Sequence, residues 1–273
     1  LELACVYSFV ALALFLSFRI LDIADLTIDG CFVLGMCVSI VCTLNNHPLL
    51  GILLGMMSGA LAGLVTALLQ TKLGVPSILA GIITNTALYT INLMVMGFSS
   101  NISILRNKTI FNGNKLLLLV LIVVVAMILL RYFLSTRLGL SIRATGDNID
   151  MVSASSINPK ACILIGLIIS NMLTGLGGAL AGQLQKSADI NAGNGIVTIG
   201  LATLIIGETL INGKKSISRN IIACLIGNII YRLVYAFILQ THIIPIECLK
   251  LMTALIITLA IALPYLKDRK KAL

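Results

Sequence analysis

One polar stretch interrupts an otherwise apolar chain. Residues 136–160 read TRLGLSIRATGDNIDMVSASSINPK, while the flanking sequence is membrane-like, as in the unbroken run LLLLVLIVVVAMILL that precedes Arg131. The stretch is too polar to cross a bilayer, whose core offers no water to unpaired polar groups. It must lie on one side of the membrane, where it can fold into short helices that another protein can grip. A membrane chain that presents one such loop, and has no soluble domain of its own, borrows its energy from a partner.

The composition supports a membrane setting. Of 273 residues, 59% are hydrophobic and 11% charged, with a mean hydropathy of +1.08. Soluble domains are about 25% charged. A spanning helix needs roughly 20 apolar residues, and about nine candidate spans can be placed on that basis. They cover residues 1–17, 30–44, 48–70, 76–97, 115–134, 161–183, 195–211, 221–240 and 247–266, of which 30–44 and 195–211 are shorter than a full crossing. No alternation of the barrel kind occurs, so the expected class is an all-α polytopic membrane protein with inverted repeats and broken helices. The chain opens on Leu rather than Met, which suggests a trimmed N-terminus. Its first apolar run lacks a basic n-region and a cleavage site, and reads as a span rather than a signal peptide.

Several chemistries find no support. Cys5, Cys31, Cys37, Cys42, Cys162, Cys224 and Cys248 sit in or beside apolar spans without a CxxC pair, and read as small buried hydrophobes. His47 and His242 stand alone, so no metal site is expected. The segment from Gly207 to Lys215 has the outline of a phosphate loop. It holds one residue too many between its glycines, and Lys215 stands where Ser or Thr should meet magnesium. No catalytic residue and no cofactor are expected, and the chain is not expected to bind ATP by itself.

Basic residues give the orientation, because Lys and Arg accumulate in cytoplasmic loops. With the C-terminus inside, Arg19, Lys72, Arg131, Arg137, Arg143, Lys160, Lys214, Lys215, Arg219 and the tail from Lys267 to Lys271 fall on the cytoplasmic side. Arg106, Lys108, Lys115, Lys186 and Lys250 fall outside. The net charge of +9 therefore reflects topology rather than nucleic-acid binding.

The halves resemble each other. Ala24-Asp-Leu-Thr-Ile-Asp-Gly30 opens one short span and Ala188-Asp-Ile-Asn-Ala-Gly-Asn-Gly195 the other; Leu68-Leu-Gln-Thr-Lys72 is matched by Ile238-Leu-Gln-Thr-His242. Matching spans lie an odd number apart, so the second copy is inverted. The single domain divides into a first repeat at about 1–98, a linking span at 115–135, the loop at 136–160 and a second repeat at about 161–266. The two polar breaks, with Asp22, Asp25 and Asp29 in one and Asp189, Asn191 and Asn194 in the other, are expected at opposite ends of the halves. Carboxylates at membrane depth persist when buried in protein or facing a watery cavity; an ordinary capped turn at the surface is the competing reading. Asp25, Thr27, Asp29, Asn85, Asn92, Asn171, Gln185, Asp189, Glu208 and Arg232 are the pathway candidates, with Glu208 and Arg232 free to pair with each other or elsewhere. Gly51, Gly55, Gly59 and Gly63 form a smooth helix face for close packing, within or between subunits.

These residues are recognisable as a set. Asp25-Leu-Thr-Ile-Asp-Gly30, AGIITNTALYTINLMVMG at 80–97, LSIRATGDN at 140–148, Ile157-Asn158, Ser170-Asn171, GALAGQLQ at 178–185 and IGLATLIIGE at 199–208 occur in order. The chain resembles the permease subunit of a bacterial ABC importer. Within the branched-chain amino acid and ribose permease superfamily, it is most similar to the tryptophan/tyrosine transport permease group. The resemblance implies a cell-membrane homodimer, two cytoplasmic ATPase subunits and an extracytoplasmic substrate-binding lipoprotein that delivers a small solute, an aromatic or other amino acid among them. It also implies a coupling helix at Arg143, Ala144, Thr145, Gly146, Asp147 and Asn148, continuing to Ile157, with Asp147 suited to cap it. Ala24 stands where the group's pattern carries an aromatic, which weakens the inference of an aromatic substrate. The alternative is an ion-coupled secondary transporter, which would have no need of a docking loop. A route near a dimer axis would be lined by spans two, four and seven.

Overall fold

The computed structural model describes residues 1–104, 107–111, 113–211 and 216–240, together with residues 254 and 258. Apart from residues 254 and 258, the expected ninth span and the end of the second repeat lie outside the described residues, as do His242, Cys248, Lys250, the basic tail, Arg106, Lys214 and Lys215.

Eight helical segments among the described residues are long and apolar enough to cross a membrane. Helix α1 (Glu2–Leu14) continues as a π-helical turn over Phe15–Ile20, so the first span extends past its expected end. Next come α2 (Thr27–Leu44), α3 (Pro48–Thr71), α4 (Ser77–Val95) and α5 (Lys115–Ser135). The polar stretch holds α6 (Arg137–Asp147) and α7 (Ile149–Ala154). Helices α8 (Pro159–Gln185), α9 (Ile196–Ile211) and α10 (Ile217–Gln240) complete the set. Pro48 and Pro159 stand in the first turns of α3 and α8, where a missing N–H costs nothing. The all-α expectation holds apart from a small ribbon of β1 (Asn101–Ser103) paired antiparallel with β2 (Ser187–Asp189).

Helices α1, α2 and α8 form the centre, and α3, α4, α5 and α10 surround them. Helix α5 buries one stripe, Leu119, Val123, Ala126, Leu130 and Leu134, at the spacing of a single helix face. Its opposite face leaves Leu117, Leu121, Ile128 and Leu129 exposed, as a lipid-facing helix must. The described cysteines are free thiols, buried except for half-buried Cys42.

Lipid tails are as apolar as Leu, so helices in a membrane associate through close packing more than through the hydrophobic effect. Here α2, α3 and α8 meet on small residues. A Cβ at Gly59 would collide with the Asn171 carbonyl oxygen, and one at Gly175 would stand 3.1 Å from the Gly59 Cα. Gly55 lies against the Gly35 carbonyl and Ala179, and Gly178 against the Phe32 carbonyl. The glycine face of α3 is therefore spent inside the subunit. Gly59→Leu should destabilise the protein by at least the cost of overpacking, about 1–3 kcal/mol, read as a lower Tm in detergent. Gly113→Ala, at a position with open space around it, should leave Tm unchanged.

Candidate functional site

Both polar breaks reach the interior of the helix bundle. After Ile20 the chain turns back through Asp22, held at φ +55°, and α2 starts only at Thr27. Asp25 is 1% exposed; its carboxylate accepts from the Thr27 N–H at 2.9 Å and from Asn171 Nδ2 at 2.6 Å. Asn171 stands near the middle of α8 and packs on Gly63, near the middle of α3. The first break thus lies at mid-depth of its neighbours, not at a membrane surface. The Thr27 and Thr66 hydroxyls meet at 2.8 Å, completing a network whose members are all buried. Burial of an ionisable group this deep demands such partners.

The second break descends to meet the first half. Helix α8 ends at Lys186 in the left-handed conformation, β2 follows, and Asp189 caps a 3-10 turn over Ile190–Gly193 by accepting from the Asn191 N–H at 2.7 Å. The chain then passes alongside α2, where Gly193 lies against the Asp29 carbonyl and Val33. Asp29, in the first turn of α2, accepts from the Val197 N–H at 2.8 Å and the Gly195 N–H at 3.4 Å. One carboxylate of the first half therefore caps the N-terminus of α9 in the second, where orphan donors and the helix dipole favour negative charge. The breaks converge rather than occupying opposite ends of the halves, because each needs the other's backbone to satisfy its polar groups.

A cleft of about 340 Å³ opens beside this junction. It is lined by Asp29, Gly30 and Val33 of α2, by Asn85, Thr86, Tyr89, Thr90 and Asn92 of α4, and by Ile190, Gly193 and Asn194 of the second break. Asn92 is buried and donates to the Gly30 carbonyl at 3.3 Å, fixing α4 against α2. Thr86, Tyr89 and Thr90 are exposed on a helix long enough to span a membrane. Sequence reasoning singled out Asn85 and Asn92 and missed these three. The missed signal was helical spacing, since Asn85, Tyr89 and Asn92 share one face.

The other candidates scatter. Asp25, Thr27 and Asn171 are sealed in the core, away from the cleft. Gln185 is exposed at the end of α8, whereas Gln183 is buried and ties Ser39, Pro48 and Ile110 together. Glu208 and Arg232 do not pair with each other. Glu208 meets Arg19 at 2.9 Å, and the Arg232 guanidinium lies 3.8 Å from the Tyr7 ring centroid, in a cation–π contact.

In the polar loop the helix expected to continue to Ile157 is divided in two. The helix breaks at Asn148, and Asn148 rather than Asp147 caps α7, accepting from the Met151 N–H at 3.0 Å. Thr145 is buried, and a Cβ at Gly146 would overlap the Ile20 carbonyl oxygen. Gly146 therefore packs α6 onto the first span instead of presenting a surface. Ile157 lies beyond α7, half-buried, after Ser156 at φ +61°. The outward ridge runs from Asp147 to Met151, with Ile149 and Met151 more than half exposed.

A polytopic helical chain with discontinuous spans meeting at a mid-depth polar cleft has the build of a membrane transport protein. The chain belongs to the family of branched-chain amino acid transport system permease components, which it matches over residues 1–261. It is the membrane-spanning permease component of an ABC-type transport system, not its ATPase. A protein of Clostridioides difficile (strain R20291) described as a tyrosine transport system permease protein is 34% identical over 255 residues, 92% of this chain and 85% of the relative. An uncharacterised protein of Rickettsia prowazekii (strain Madrid E) is 31% identical over 259 residues, 92% of this chain and 91% of its own length. A D-allose transport system permease protein of Escherichia coli (strain K12) is 36% identical over 104 residues, 37% of this chain and 31% of the relative. No solved structure matches the chain.

Asp29→Ala should strip α9 of its cap and cost about 1 kcal/mol, typical for loss of a capping acceptor. Asp29→Asn, which keeps an oxygen in place, should recover part of the loss. Thermal unfolding of the two variants in detergent checks the order; equal Tm values for Asp29→Ala and the parent would remove the cap from the account.

Proposed function

We propose that two copies of this chain form the conduit of a bacterial importer, with the clefts beside Asp29 facing each other across a twofold axis. The observation that carries this reading is the exposed polar face of α4. Tyr89 and Thr90 on a membrane helix would be poorly placed against lipid, and a water-filled path between two subunits gives them a solvent; Thr86 beside them donates to the Ile82 carbonyl at 2.9 Å. Closed twofold symmetry is the commonest oligomeric solution. Matching neighbours support the reading of two repeats: α2 packs on α3 as α9 packs on α10, and α3 lies against α8 as α10 lies against α1.

The cargo is a small solute handed over by an extracytoplasmic binding lipoprotein. An amino acid suits a cleft with one acid, several amides and hydroxyls, one tyrosine and no basic residue. Energy comes from two copies of a cytoplasmic ABC ATPase that hold ATP and Mg. Each ATPase docks on the ridge at Asp147 to Met151, which places this loop and the C-terminus on the cytoplasmic side of the cell membrane. Exposed Ile149 and Met151 outside the membrane need an apolar pocket in a partner.

Ile149→Asp combined with Met151→Asp should abolish permease-stimulated ATP hydrolysis and uptake in proteoliposomes, while yield and Tm stay at parental values. Each apolar anchor lost from such a contact costs about 2 kcal/mol in binding. Uptake at the parental rate by the double variant would refute docking at this ridge. Native mass spectrometry of the intact complex should give two permeases with two ATPases.

A further inference from the structure

On the membrane face that carries α6 and α7, a cleft of about 870 Å³ opens between the end of the first span, α5, α6 and the start of α10. Among the described residues, Arg19, Arg131 and Arg143 line it against a single acid, Asp147. Arg19 is already engaged by Glu208, whereas Arg131 and Arg143 form no ion pair among the described residues. Ser135, Ser218 and Asn220 add further hydrogen-bonding groups to the wall.

An apolar groove of about 200 Å³ runs from this cleft between α5 and α10, over Val124, Met127, Ile128, Ile221 and Ile222. Arg131 and Ser218 line both cavities, so the groove and the basic cleft adjoin. From Arg131 back to Val124 the groove follows α5 for about 10 Å toward the membrane centre, at 1.5 Å per residue. Ile128 and Ile222 are 61% and 46% exposed, so the groove opens on the lipid side of the bundle.

An apolar trough inside the bilayer that ends in arginines at its edge has the chemistry of one kind of molecule. We propose that this composite site holds an anionic glycerophospholipid from the adjacent leaflet, with its phosphate beside Arg131 and Arg143 and an acyl chain along the groove. The arginine excess favours a net negative headgroup over a zwitterionic one, whose ammonium would meet the same guanidinium groups. The groove selects a lipid over a soluble phosphate, which has nothing to place there. A lipid so held would brace α6 against α5 and α10. The site depends on the membrane-spanning fold alone, and stands or falls separately from the docking role of α7.

The test uses the full chain, delipidated in detergent and equilibrated with vesicles of equal parts phosphatidylglycerol and phosphatidylcholine, with retained lipid read by native mass spectrometry. Phosphatidylglycerol should be retained in preference. Arg131→Gln and Arg143→Gln should each lower that preference about fivefold, the effect of one basic residue at an anionic lipid surface. Arg131→Lys should keep most of it, and Arg137→Gln, outside the cleft, all of it. Ile222→Trp, which fills the groove and leaves the arginines intact, should weaken retention of both lipids. Equal retention of the two lipids by the parent would overturn the site, and so would an unchanged preference in Arg131→Gln with Arg143→Gln. A thermal stabilisation by inorganic phosphate as large as that by phosphatidylglycerol would overturn it too, by assigning the cleft to a soluble anion. Where the double variant does not fold, the Arg131→Lys and Ile222→Trp measurements still decide.

Discussion

The carboxylate of Asp29 on the first turn of α9 is the contact on which the architecture turns. Two backbone breaks inside a membrane protein leave a set of donors and acceptors that lipid cannot satisfy. In this chain the breaks satisfy each other: Asp29 takes the Gly195 and Val197 N–H groups, and Gly193 brings the second break against α2. A short helix starting at mid-depth then becomes affordable in both halves, and its polar surroundings become a cleft. Asp25 plays the complementary part out of reach of the cleft, holding the first break to α8 through Asn171.

Close packing makes the junction rigid. Glycines at 35, 55, 59 and 175 let α2, α3 and α8 approach at backbone distance, so the element that presents Asp29 is set by hard contacts on both sides. Helix α4 is less enclosed and is pinned to α2 by Asn92. Its Thr and Tyr face remains free for a solvent or a second subunit. Between Lys115 and Arg131 the exposed side chains of α5 are all apolar, so α4 and α5 present different surfaces.

Much of this was legible in the sequence, for definite reasons. Apolar runs near bilayer length give the spans, and clusters of Asp, Asn and Gly mark the breaks, because such residues at membrane depth require protein partners. The identity of those partners was not legible. Asp29 meets a backbone N–H 168 positions away and Asp25 an amide 146 positions away, separations at which helical periodicity carries no information. The same gap explains Gly146, whose contact with the Ile20 carbonyl joins α6 to a span more than a hundred positions away. It also explains Gln183 and Gln185, alike in sequence but separated by the turn of a helix into core and surface. The ribbon of β1 and β2 escaped notice because three residues are too few to show a strand period.

The central claim is that the exposed face of α4 borders water rather than lipid, and cysteine accessibility along that helix tests it most directly. In a chain lacking its native cysteines, single cysteines at Thr86, Tyr89 and Thr90 should react with a small water-soluble thiol reagent in the assembled complex. Those at Ala80 and Leu88, buried in the bundle and outside the cleft lining, should stay protected. Protection at Thr86, Tyr89 and Thr90 in both nucleotide-free and nucleotide-trapped states would place α4 against lipid and contradict the account.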